Sequence, residues 1–538
     1  MAWAGLSLFY PLSLFLSFSL FSFSPLAAQS TPRIAGITVR NFSIFDSADS
    51  GWFARAINAL HVTTREPLIR RELLFHSGER YDSARIAESE RNLRALRVFR
   101  AVEIDSVTSD SGAVIRVTTH DGWTTRPDFR FRSTGGSVVY TLALIEDNLL
   151  GTLTQTQLLY QKDPDRSSTV VRLSRGRLIG GKVSGTLYYA NRSDGKLGYA
   201  QFMLPYFETA SPFSAAVTFD DRRARILQYR YGTLPAHDTV QNRYVLGRVD
   251  FSRAIRASSF GYLRAGVAVQ VRRDDYVADR DYTVTGFGSA SVTGAIGAFI
   301  EASHVRRPKV TGYQTLGHQE DLDLSSVVRL SLFAAPGALG YDHDHSGVAP
   351  SIGVHTGVQF RGGFAYADGF AGGTYTATGL DSGQVFVSGT VALIPSPRHL
   401  LVLHGEAGAL RRPLPGTEFD LGLGAGPRAF GQHSFTGDRE FFATAEYRYT
   451  VSPELLKVVG VGLAAFADHG GAWWSGEARR TGWDAGIGLR LAASRAPDLE
   501  TNRIDFAWRG AQPGLPGGWV VAVSKGFVFA TGPRGTSR

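Results

Sequence analysis

Two periodicities divide the chain, and one gives way to the other near Trp123. Before it, residues 37–45 alternate apolar and polar as a strand does. Thr64 then stands where a helix cap belongs, with Pro67 in the first turn. Leu68, Ile69, Leu73 and Leu74 form the apolar side, and Gly78 is the stop. Asp82 is placed to cap a second helix, in which Ile86, Leu93 and Leu96 recur with charges between them. Strands over 99–107 and 113–119, with a turn at Asp110, Ser111 and Gly112, complete a β-α-α-β-β unit. Residues 46–62 lengthen its first connection and carry no assigned role.

After Trp123 the helical period is replaced by a period of two. Leu263, Ala265, Val267, Val269 and Val271 share one face; Arg264, Gly266, Ala268, Gln270 and Arg272 share the other. Ile352, Val354, Thr356, Val358 and Phe360 alternate in the same way with Gly353, His355, Gly357, Gln359 and Arg361. Val385, Val387, Val391 and Leu393 repeat the scheme ahead of a turn at Pro395, Ser396 and Pro397. An apolar face opposite a Gly/Arg/Gln/His face predicts strands with lipid on one side and water on the other. A soluble antiparallel sandwich alternates similarly over one strand, but not over so many with so polar an inner face. An open sheet edge in lipid leaves unpaired backbone groups, so the sheet is expected to close into a barrel. The 416 residues from 123 to 538, at ~26 per strand with its connection and ~9–11 per spanning strand, predict about sixteen strands.

Composition narrows the class. Gly (61 residues) and aromatics (12%) are abundant, which suits a large barrel with interfacial ring girdles. Residues 1–28 are rich in Leu, Phe and Ser and end in Ala27 and Ala28, which predicts a signal peptide cleaved after Ala28, although no Lys or Arg precedes its apolar core. No internal run approaches the ~20 apolar residues of a spanning helix. The absence of Cys excludes disulfides, thiolate metal sites and a thiol nucleophile. The net charge of +9 fits a basic lumen or loops facing anionic lipopolysaccharide better than nucleic acid, which an exported chain rarely meets.

One loop concentrates unusual residues. Gly426, Arg428, Phe430, Gly431, Phe435 and Gly437 lie ahead of two strands that each carry a carboxylate, Glu446 and Asp468. This set resembles the lid loop of the BamA/TamA superfamily of outer-membrane assembly barrels, with Ala429 where the family usually has a second glycine. Three other places strengthen the resemblance: the β-α-α-β-β unit is similar to a POTRA domain, the turn at Glu146, Asp147, Asn148, Leu149, Leu150 and Gly151 is similar to the one after the family's opening strands, and residues 519–529 resemble its terminal strand.

The resemblance implies a mainly β protein of the bacterial outer membrane: signal peptide 1–28, one periplasmic POTRA-like domain over 34–122, and a transmembrane antiparallel barrel over 123–538. It implies no enzymatic activity and no cofactor or metal. Arg428, Glu446 and Asp468 would form a latch holding the lid in the lumen. Phe129 and Phe131 on the opening strand would face Val523, Phe527 and Phe529 on the closing one, at a seam that opens sideways to template incoming strands. The implied partners are unfolded outer-membrane proteins, membrane lipid and lipopolysaccharide, and periplasmic or lipoprotein accessory factors. Two other functions share these features, a translocation pore for a secreted partner and a passive pore or structural surface antigen. Dedicated family members usually carry several POTRA domains, so the role is less determined than the fold. Tyr341, Asp342, His343, Asp344 and His345 have metal-ligand types but fall in a polar connection between strands. His469 beside Asp468 lacks a serine in a nucleophile context.

Overall fold

The structure, a computed structural model, describes residues 32–45, 51–52, 55, 58–59, 61–109, 112–134, 137–227, 229, 239–278, 291–339, 346–377, 379–414, 416–456, 459–494 and 501–529. The expected signal peptide, the turn residues Asp110 and Ser111, and the candidate metal-type residues 341–345 lie outside these.

The N-terminal unit comprises β1 (Ile34–Phe42), α1 (Glu66–Glu72), α2 (Ser83–Ala95), β2 (Phe99–Ser109) and β3 (Gly112–Asp121). The sheet runs β1-β3-β2, with β1 parallel to β3 and β2 antiparallel to it. Ile69, Leu93, Ile115 and Val117 are fully buried between the helices and the sheet. Asp82 caps α2 as expected, accepting from the Ala84 and Arg85 N–H groups. Thr64 does not cap α1. Its N–H donates to Asp121 at the end of β3 and its hydroxyl accepts from Asn148 of the next domain, so both are committed to tertiary contacts. Nor does α1 reach Gly78: it ends at Glu72, and Gly78 occupies a later turn at φ 89°.

Residues from Thr125 onward form a closed antiparallel barrel of 20 strands, not sixteen. Thr125 to Lys525 gives about 20 residues per strand with its connection, because many connections are tight hairpins. Two residues suffice between Arg192 and Gly195, between Ser258 and Gly261, and between Phe360 and Gly363. With an even strand count, both ends of the barrel sequence lie at the rim that carries the N-terminal unit, here the near rim.

The alternation has the expected sense. Val267, Val269 and Val271 are 53%, 51% and 55% exposed, whereas Ala268 between them is 1% exposed. Leu142, Leu144, Val385, Val387, Leu463 and Ile487 are similarly outward and exposed. An unbroken outer belt of aliphatic and aromatic side chains around a closed sheet is a lipid-facing surface. No helix among the described residues is long and apolar enough to cross a membrane.

Three segments fold into the bore. Residues 305–325 enter from the near rim and carry the short pair Lys309–Thr311 and Gln319–Asp321. Residues 412–438, the lid loop, enter from the far rim with the pair Phe419–Leu421 and Phe435–Gly437. Residues 526–529 turn inward after the closing strand. Together with inward side chains of the wall they build one apolar cluster that includes Tyr313, Phe364, Phe430, Phe442 and Phe466.

Candidate functional site

Arg428 sits in the lid loop beyond Gly426, whose φ of 90° suits glycine. Its side chain, 2% exposed, meets acids on three strands of one wall. Nε and Nη2 donate to the two oxygens of Asp468 at 2.6 and 3.1 Å, Nη1 donates to Glu446 at 3.0 Å, and Asp505 lies 3.5 Å from Nη1. The guanidinium also stacks over Phe466 at 3.6 Å. Burial alone would weaken its hold on its proton, but Asp468, Glu446 and Asp505 outweigh that and hold its pKa above the usual arginine range.

The sequence had singled out Arg428, Glu446 and Asp468, and the structure brings all three together. It adds partners the sequence reading missed. Glu446 also binds Arg448 and Arg490, Asp505 binds Arg490 and approaches Arg503, and Asp484 accepts from the Ala429 N–H at 3.0 Å. The cluster therefore packs four guanidiniums against the carboxylates of Glu446, Asp468 and Asp505, so that buried charge has opposite charge beside it. One signal was available: Glu446 and Arg448, and likewise Arg503 and Asp505, are opposite charges two residues apart, and so share the inner face of a strand. The same alternation separates Asp468, which faces in, from His469, which faces out and meets Phe441 edge-on at 5.1 Å.

The other lid residues shape the loop. Phe430 and Phe435 are buried with ring centroids 5.1 Å apart. The Gly431 carbonyl accepts from the Ser434 hydroxyl at 2.8 Å. A Cβ on Gly437 would lie 2.1 Å from the Trp473 carbonyl group, so only glycine fits there.

The lid is also tied to connections of the N-terminal half of the barrel at the far rim. His433 bridges two carboxylates, Asp420 at 2.7 Å within the lid and Asp165 at 2.9 Å in a turn of the N-terminal half of the barrel. Its ring stacks on Tyr229 at 3.7 Å, and the Tyr229 hydroxyl donates to Asp165. Burial would lower the His433 pKa, but the hydrogen bonds and charges of Asp165 and Asp420 raise it to about 9. The lid thus has two anchors, Arg428 on the strands that carry Glu446, Asp468 and Asp505, and His433 at Asp165 in a far-rim turn.

At the seam, the opening strand Thr125–Thr134 and the closing strand Gly518–Lys525 share a single register pair, Val523 with Ser133. Neighbouring barrel strands share eight pairs, as between Asn502–Arg509 and Gly518–Lys525. Phe129 and Phe131 point outward, 63% and 36% exposed, beside this weak joint. Phe527 and Phe529 do not take part in it, because the chain turns inward at Gly526 (φ 70°) and buries both rings in the bore. Phe527 lies under the Arg448 guanidinium at 3.9 Å, Phe529 stacks on His404 at 3.9 Å, and the Val528 carbonyl accepts from the Gly426 N–H at 3.4 Å. The closing strand is thereby tethered to the lid.

No family model matches the sequence, and no curated protein matches it. Solved structures do. CdiB from Escherichia coli aligns with 96% of this chain and 94% of its own, at 11% identity and a TM-score of 0.45. BamA from Haemophilus ducreyi lacking POTRA domains 1–3 aligns with 91% of this chain and 84% of its own, at 12% identity and a TM-score of 0.38. CdiB from Acinetobacter baumannii aligns with 92% and 74%, at 11% identity and a TM-score of 0.39. The chain is similar to BamA and CdiB, and the similarity is one of fold.

Proposed function

We propose that this protein is an outer-membrane barrel of the BamA/TamA type that assists insertion, assembly or export of other outer-membrane proteins, with its N-terminal unit acting as a periplasmic POTRA-like domain. The observation that carries this reading is the seam. One backbone pair joins these two strands, whereas neighbouring strands elsewhere in the barrel share seven or more. Each unmade pair leaves backbone donors and acceptors on an edge, and such an edge accepts an added strand by ordinary ladder pairing. No covalent chemistry and no nucleotide are required. The lid latch supports the same reading: a buried arginine held by acids on the closing half of the barrel, and tied to the closing strand's tail, positions the lid beside that edge. Incoming unfolded barrel proteins are the substrates this geometry suits, with lipid and lipopolysaccharide as surroundings and periplasmic or lipoprotein factors as accessory partners.

The test is depletion of the protein followed by quantitative measurement of all other outer-membrane barrels. Reduced levels or impaired folding of a subset is the expected result. Unchanged abundance and folding of every other barrel contradicts an assembly role.

A further inference from the structure

Where the N-terminal unit meets the near rim, a cavity of about 360 Å³ opens between the end of α2 and the inner wall of the first strands. Arg97, Arg126, Arg130 and Arg172 line it together with Gln155 and Gln157. An adjoining cavity of about 260 Å³ shares Arg172 and Gln155 and adds Arg175. Two of these arginines are neutralised, Arg126 by Asp147 at 3.1 Å and Arg130 by Asp128 at 2.7 Å. The other three are not: among the described residues no carboxylate pairs with Arg97, Arg172 or Arg175.

That is unusual for this wall. Farther along it, Arg222, Arg248 and Arg272 each pair with an aspartate two residues away. The wall thus compensates its arginines by a simple local device, which it uses here for Arg130 and omits for Arg172. Arg97 is also held at a φ of 57°, the left-handed position after a helix that glycine or asparagine usually takes. An arginine there accepts backbone strain and places a guanidinium in the cavity.

We propose that this junction is a binding site for a phosphomonoester or pyrophosphate group. The charge selects the ligand. Two unpaired guanidiniums, those of Arg97 and Arg172, call for a multivalent anion, and a phosphomonoester carries about −1.5 to −2 with three strong acceptors, against −1 for a carboxylate. Arginine forks match phosphate oxygens in pairs, and the Gln155 and Gln157 amides supply neutral donors. A cavity of about 360 Å³ admits a phosphate-bearing head group. The group could belong to a free solute or to a lipid, and both present the same chemistry.

The experiment is equilibrium dialysis of radiolabelled pyrophosphate against the full-length protein in neutral detergent, repeated with R97Q/R172Q and with R361Q, which alters an exposed arginine in a tight turn at the same rim. Arg97 and Arg172 are exposed to the cavity, so the double variant keeps the core, and its migration on unheated gels checks the barrel. The expected result is saturable binding that weakens about tenfold or more in R97Q/R172Q and is unchanged in R361Q. Competition by mixed micelles containing phosphatidic acid, but not by phosphatidylcholine micelles, assigns the phosphate to a lipid; competition by neither assigns it to a solute. Absence of saturable binding, equal binding by R97Q/R172Q, or displacement by an oligoglutamate peptide at lower concentration than by unlabelled pyrophosphate overturns the proposal.

Discussion

A guanidinium that is 2% exposed is held in place here by the geometry of its acids. Removing Arg428 leaves Glu446 and Asp468 buried with one cation fewer, and breaking such an arrangement costs ~3–5 kcal/mol. Arg428→Ala is therefore expected to lower the temperature at which the barrel loses its fast-migrating folded form. Arg428→Lys is expected to recover little, since a point charge cannot grip both oxygens of Asp468. Equal unfolding temperatures for wild type and Arg428→Ala would remove the latch from the account. Arg428, Glu446 and Asp468 were legible in the sequence because a motif surrounds them. Asp484 and Arg490 were not, since they stand six residues apart in one strand with no opposite charge two positions away; Asp505 has Arg503 two positions away, but only the strand register sets it beside Arg428.

His433 gives a second prediction at this scale. Its folded pKa of about 9 lies above the ordinary 6.5, so the protonated form stabilises the clasp with Asp165 and Asp420. That contribution is complete below about pH 6.5 and is lost as pH rises through about 9. Protease sensitivity of the lid tip is expected to rise between pH 7 and pH 10 in the wild type, and His433→Gln is expected to be sensitive throughout. A wild type with no pH dependence over that range would contradict the clasp. Nothing local marked His433 in the sequence, because its partner Asp165 is 268 residues away.

At the scale of elements, the turn after the first hairpin holds the N-terminal unit to the barrel. Asn148, 3% exposed, donates to the Thr64 hydroxyl at 2.8 Å and accepts from the Leu153 N–H at 2.9 Å. Gly151 follows at a φ of 69°, and a Cβ there would come within 2.9 Å of the Thr63 carbonyl. Asn148→Ala strands a buried N–H and hydroxyl at about 1–3 kcal/mol. Limited proteolysis is expected to separate the N-terminal unit from the barrel faster in that variant, and equal rates would show that the turn does not hold the joint. The motif was visible in the sequence, whereas its contact was not. Thr64 read as a helix cap because its hydroxyl suits one, but tertiary demand from Asn148 and Asp121 took both of its polar groups. On the far side of the unit, Arg94 grips Asp321 at 2.7 and 2.8 Å and Lys309 reaches Glu90 at 2.8 Å, tying α2 to the inserted segment 305–325.

For the whole molecule, barrel closure follows from alternation and was legible, since a period of two survives wherever one side of a sheet meets lipid. Strand number was not, because it depends on turn length, and two-residue hairpins raise the count to 20. The inward turn of Phe527 and Phe529 was hidden for a related reason: an apolar run reads as strand whether it continues in the sheet or leaves it. What results is a cylinder with a full belt of lipid-facing side chains, a lid folded into the bore and held at two anchors, and one weak joint.

That joint can be locked in a chain that contains no cysteine of its own. Ser133→Cys with Val523→Cys places a pair at the one register contact, both on the outer face, where a disulfide can form across antiparallel strands. In cells depleted of the wild type, the oxidised double variant is expected to fail in supporting the barrels that depend on this protein, and reduction is expected to restore them. Full support by completely crosslinked protein would contradict opening of the seam.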